Sequence, residues 1–141
     1  MSDLPKQPSH PRAPDRLLAY FVALAEVHPN AIPLPLILTV GGLVLYGTLS
    51  DTVTYTDALS EAFGRTITDP AVAQNWQQAF REASTITRGH LEQFDTDQSI
   101  TVPGDTQLHL RDVSFLEGDA WHELRWWRGR LDSIDGWSLN L

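Results

Sequence analysis

The stretch "LPLILTVGGLVLYGTLSD", residues 34–51, constrains the fold more than any other part of the chain. Two runs of β-branched and aliphatic residues flank Gly41-Gly42, and paired glycines supply the positive φ that a two-residue hairpin turn requires. Along the second run Leu43, Leu45, Gly47 and Leu49 face one way and Val44, Tyr46 and Thr48 the other. Both faces are fairly apolar, so the hairpin is expected to be covered on both sides. Pro33 and Pro35 cannot donate to a ladder, which predicts an edge position for the start of the first strand. The same prolines and the glycine pair make this apolar stretch too short and too broken to span a bilayer.

Helices are expected on either side of the hairpin. In "DRLLAYFVALAEV" Leu17, Phe21, Leu24 and His28 recur at helical steps, with Asp15 favouring the first turn and Pro29 ending it. Residues 54–94 read as a helical insert. Tyr55, Leu59 and Phe63 recur at four-residue spacing before Gly64, a C-cap candidate; Asp69 and Pro70 then open a segment with Val72, Trp76 and Phe80 on one face. Residues 85–94, "TITRGHLEQF", fit a continued helix or a strand, and "DTDQSITVPGD" is a polar loop with turn chemistry at Pro103-Gly104. Residues 1–14 hold four prolines and almost no large apolar groups, which predicts a disordered tail ahead of a single domain over 15–141.

The last third returns to strands, "TQLHLRDVSFLEG" and "HELRWWRGRLDSI", then Asp135-Gly136 as a turn signal before "WSLNL". Five short strands, with glycines at Gly47 and Gly129 where sharp bends are needed, predict an α+β fold. The expected form is a small five-stranded SH3-like or Sm-like antiparallel β-barrel with a leading helix and a helical insert.

"WWRGRLDSIDGW" is the unusual feature. On a strand Trp126, Arg128 and Arg130 share one face, and Trp127, Gly129 and Leu131 the other. With Trp127 and Leu131 on the core side, Trp126 stands beside two arginines, a combination enriched in binding hot spots. Two readings stand for Trp126: a docking face for protein, or a ring covered by the middle helices with the arginines paired to nearby acids.

No catalytic arrangement emerges. His109 and Asp112 point to opposite faces of a regular strand, as do the adjacent His122 and Glu123. There is no His-Glu-x-x-His, no glycine-rich phosphate loop and no nucleophile elbow, and Gly41-Gly42 leads into a strand instead of a helix. The chain has no cysteine, which removes disulfides, thiol catalysis and thiolate metal sites. No metal, no cofactor and no enzymatic reaction are expected. The net charge of −8, with a single lysine among ten basic residues, disfavours a phosphate backbone, and no lipid-membrane partner is expected either. A soluble cytoplasmic location is the default expectation for a chain that shows no signal peptide.

The order "LILTVGGLVLYGTLSD", "LHLRDVSF" and "WWRGRLDSIDGWSLN" resembles the gas vesicle accessory protein U family over residues 36–51 and 108–141. The resemblance implies a cytoplasmic, non-enzymatic accessory that associates with gas vesicles and influences how they form or cluster. It implies gas vesicle proteins or the shell as partners, and a homo-oligomer is expected from the docking face and the Sm-like likeness. From the strand alternation, the face carrying Trp126, Arg128 and Arg130, with Tyr46 from the early hairpin, is the expected protein-binding face. Gly41, Gly42, Gly47, Trp127, Gly129 and Gly136 are expected to determine the fold. The hairpin and "GRLDSIDGW" also resemble Sm-like barrels, so an Sm-like oligomerising or RNA-binding module is the alternative, with the charge arguing against RNA.

Overall fold

In the computed structural model, which describes residues 15–31, 33–96 (84–96 as backbone only) and 106–141, the paired glycines do close a hairpin. Gly41 and Gly42 sit at φ +57° and +82°, joining β1 (Pro35–Val40) to β2 (Leu43–Ser50) in the register Val40 opposite Leu43. A residue with a Cβ would be strained at either position. The turn is also held from a distance, because the Gly41 N–H donates to Asp135 Oδ2 at 2.7 Å. β2 pairs with β3 (Gln107–Glu117), β3 with β4 (Ala120–Arg130), and β1 with β5 (Gly136–Leu139). The result is one antiparallel sheet in the order β4-β3-β2-β1-β5. It is not closed: among the described residues no ladder joins β4 to β5.

One face of the sheet carries Leu36, Leu38, Leu45, Leu49, Leu108, Leu110 and Val113, all fully buried, and α1 (Arg16–Val27) packs there through Leu18, Ala19, Val22, Ala23 and Ala25. Burying a leucine or valine of this kind contributes about 1.5–3 kcal/mol. Asp15 caps the helix by accepting from the Leu18 N–H at 3.0 Å, and Pro29 follows its end. The buried stripe is therefore not the one read from the sequence. Leu17 is exposed, and Phe21 and Leu24 are only half-buried. Alanines let the helix approach the sheet closely, so small residues take the inner face and larger ones its flanks.

Where β2 crosses β3 the register shifts between Tyr46 and Thr48, with Asp112 of β3 in the left-handed region at φ +52°. This bulge places Leu110 and Val113, three residues apart, on the same core face. Both lie over Gly47, where an added Cβ would come within 3.1 Å of the Leu110 Cβ and the Val113 Cγ2. Gly129 has the stronger requirement. The Trp127 ring lies across it, so an added Cβ would stand 2.3 Å from the Trp127 Cη2.

The insert forms two helices, α2 (Thr52–Thr66) and α3 (Pro70–Thr96). Asp51 caps α2 by accepting from the Thr54 N–H at 2.8 Å, and Asp69 accepts from the Ala71 N–H at 3.0 Å ahead of α3. Phe63 of α2 stacks on Trp76 and Phe80 of α3, with ring centroids 5.4 and 5.5 Å away. The ambiguous stretch 85–94 continues α3, and Gly64 lies within α2, whose cap is Ile67.

Two further expectations are corrected. β1 is interior, flanked by β2 and β5; Pro35 is tolerated because it is the strand's first residue and the β5 ladder begins at Leu36. Asp135-Gly136 does not turn a hairpin. β4 ends in a single 3-10 turn, Leu131–Ser133, and β5 crosses to pair with β1. Gly136 opens that strand where an added Cβ would meet the Thr39 Oγ1 at 3.0 Å. The expected tail, 1–14, and the Pro103-Gly104 turn lie outside the described residues.

Candidate functional site

The face of the sheet opposite α1 carries His109 of β3 and Trp126 and Arg128 of β4, with Arg128 directly across the ladder from His109. The Arg128 Nε–H donates to the His109 Nε2 at 3.2 Å, which puts the proton of a neutral imidazole on Nδ1. Tyr55 of α2 closes over the pair. Its ring centroid is 4.7 Å from that of His109 and 5.5 Å from that of Trp126, and the Arg128 guanidinium carbon stands 6.0 Å from its centre.

Beneath His109 lies Glu26, the one acid on the inward side of α1. Both of its carboxylate oxygens accept from the Thr52 N–H, at 2.9 and 3.0 Å, and Oε1 also accepts from the Thr52 hydroxyl at 2.7 Å. The His109 Nδ1 points at Glu26 Oε1 from 3.8 Å, too far for a hydrogen bond, and is a buried polar atom without a partner. Burial pushes the Glu26 carboxyl up to about 7, against the opposing pull of the Thr52 donors. Burial, with the neighbouring Arg128 charge, pushes His109 down to about 3, so the imidazole stays neutral at physiological pH. Arg128 thus ties β4 to β3 through His109, and Thr52 ties the start of α2 to α1 through Glu26; His109 and Glu26 lie buried side by side in this polar knot, while Arg128 reaches the exposed surface. With His109 1% and Glu26 6% exposed, the knot holds elements together and presents neither group to a reactant.

The residues singled out from the sequence are dispersed around this knot. Trp126 is half-buried against Tyr55. Arg130 makes a two-point ion pair with Asp132 at 3.0 and 2.7 Å. Tyr46 lies on the same sheet face but at the far end, where its ring meets Trp121 at 5.7 Å. Trp127, Gly129 and Leu131 lie on the opposite, core side, Leu131 being fully buried. His122 stacks on Phe115 and contacts Glu117 at 3.4 Å, far from His109 in register, and no metal-binding cluster forms among the described residues. Sequence reasoning missed Glu26, Thr52 and Tyr55. The one available signal was spacing, since Glu26 continues the inward Leu18–Val22 stripe at the next four-residue step.

Comparison with known proteins supplies what the geometry lacks. The family model described as gas vesicle protein GvpU-like matches residues 15–141. The chain belongs to the GvpU-like gas vesicle family. The match takes in the insert helices α2 and α3, so they are part of the GvpU-like unit. Searches of characterised proteins and of solved structures give no match. No helix among the described residues of this GvpU-like chain is long and apolar enough to cross a membrane.

Proposed function

We propose that this GvpU-like protein is a non-enzymatic, cytoplasmic accessory of gas vesicles. It binds vesicle proteins or its own copies and influences vesicle formation or clustering. The family match across residues 15–141 carries this reading. A non-enzymatic role is supported by the fate of the two perturbed groups, Glu26 and His109, which are sealed inside a structural knot. The docking face is the one that carries Trp126, Arg128, Arg130 and Tyr46. Its apolar end is widened by Trp121, which is 60% exposed beside Tyr46.

Self-association draws support from the open sheet, because among the described residues β4 and β5 each have one edge without a strand partner. The finer reading of the sheet as a partial SH3-like or Sm-like barrel rests on its strand order and on the bends relieved by Gly47 and Gly129. An RNA-binding role for such a barrel is disfavoured by the net charge of −8.

A flotation experiment tests the proposal. Purified protein is mixed with isolated gas vesicles, the suspension is centrifuged, and the buoyant layer is assayed. The wild type is expected to rise with the vesicles and a Trp126→Ala/Arg128→Ala variant, folded by circular dichroism, to stay below. A wild type that stays below refutes direct vesicle binding.

A further inference from the structure

Beside the polar knot, α2 and the β3–β4 ladder enclose an open groove of about 320 Å³. Its apolar walls include Leu59 and Trp126, and Arg65, Arg111 and Arg125 line it together with the carboxylates of Glu61 and Asp112. The ladder runs from Arg111 opposite Trp126 to Val113 opposite Leu124, leaving Asp112 and Arg125 outside the pairing. Asp112 holds its left-handed φ of +52° at this point. Irregularities of this kind re-aim side chains, and here Arg111 and Arg125, two of the three arginines that line the groove, sit at the break.

The state of those arginines is the telling observation. Arg128 and Arg130 each have a partner, yet among the described residues the side chains of Arg65, Arg111 and Arg125 make neither an ion pair nor a hydrogen bond. The chain has 18 acidic against 10 basic residues, and two carboxylates line the same groove, so intramolecular partners were abundant. Three guanidinium groups left unpaired around a concave, partly apolar surface complement an anion from outside.

We propose that this groove receives a carboxylate-bearing, partly apolar peptide segment of a partner protein. Its acidic groups pair with Arg65, Arg111 and Arg125, and an apolar side chain lies against Trp126 and Leu59. A peptide fits better than a nucleic acid. The overall negative charge repels a long polyanion, and Glu61 and Asp112 interrupt the positive strip where a continuous phosphate backbone would run. The groove gives the protein-binding reading above a specific partner chemistry and rests on that reading only in taking the ligand to be protein.

The test is an anisotropy titration of the full chain with a labelled, short poly-glutamate peptide that carries a central leucine. Poly-lysine and single-stranded poly-uridine serve as comparison probes. The acidic peptide is expected to bind, more weakly as salt rises. Exposed charge pairs contribute up to about 1 kcal/mol each, so Arg111→Gln/Arg125→Gln should lose about tenfold in affinity. Glu61→Gln should bind more tightly, a gain that misfolding does not produce, and Arg16→Gln on α1 should leave binding unchanged. Failure of the wild type to bind the acidic peptide overturns the proposal. So does equal binding by the double arginine variant, or tighter binding of poly-uridine through the same arginines. A chain that floats with vesicles but ignores the peptide loses only the groove; one that binds the peptide but stays below the vesicles loses only the vesicle assignment.

Discussion

Replacing Glu26 with glutamine probes the buried knot without changing its shape. The carboxyl has its ordinary pKa of 4.5 in the unfolded chain and about 7 in the folded one, because burial opposes its charge. Below pH 4.5 it is protonated in both states and the folded protein carries no penalty. As pH rises through 4.5 the unfolded chain ionises freely, while the folded chain resists until about 7, so stability declines across that window. A difference of about 2.5 pKa units corresponds to roughly 3 kcal/mol, a net figure in which the Thr52 donors already offset part of the burial cost. His109 runs the other way, and its contribution falls as pH drops from 6.5 towards 3. Wild-type stability alone therefore mixes two opposing trends, but the difference between wild type and Glu26→Gln isolates the glutamate. Glutamine has one acceptor oxygen for the Thr52 N–H and hydroxyl, so the variant should start about 1–2 kcal/mol less stable at pH 4.5. That deficit should shrink and then reverse by pH 8. Urea denaturation followed by far-UV circular dichroism, repeated across this range, measures the difference. A deficit that stays constant with pH would mean that Glu26 titrates normally, and the burial argument would fail.

Three other outcomes follow from the same geometry. Gly129→Ala drives a methyl into the Trp127 ring at 2.3 Å and should cost about 1–3 kcal/mol in urea denaturation, with a changed near-UV spectrum; wild-type stability would contradict that close approach. Asp112→Gly relieves a left-handed backbone and should leave stability unchanged or raise it by about 1 kcal/mol, so a clear loss of melting temperature would show that the Asp112 side chain itself supports the bulge. Trp127→Ala removes a ring packed on the core and should cost about 3–5 kcal/mol, well beyond Trp126→Ala, whose ring contact is Tyr55; equal losses would place both rings in the core.

How much of this was legible beforehand varies with the range of the interaction. The glycine-paired hairpin, the leading helix with its Asp15 cap and the Asp69-Pro70 start of α3 all follow from local rules, and all are present. The inward stripe of α1 was misread because apolarity alone cannot tell a large flank residue from a small contact residue. Asp135-Gly136 misled for a related reason. Its turn chemistry was read as a hairpin, whereas the Asp135 carboxylate crosses to the Gly41 N–H and the strand that follows pairs with β1.

The candidate site was less legible still. Trp126, Arg128 and Arg130 stand out in the chain, yet their neighbours Tyr55, Asp132, His109 and Glu26 come from α2, the 3-10 turn, β3 and α1. Whether an arginine is spent on an internal partner or left free is decided by which side chains arrive beside it. Arg128 and Arg130 are engaged, while Arg65, Arg111 and Arg125 have no such contact among the described residues. The amino-acid order by itself determined the elements, the hairpin turn, the division of "WWRGR" between two faces and the family, because each depends on backbone preference, strand alternation or residue pattern. Only the tertiary structure decided the strand order, the burial of Glu26 beside His109 and the arginine-lined groove. Those depend on groups far apart in the chain meeting at a few ångströms, where burial and partner geometry set the energy.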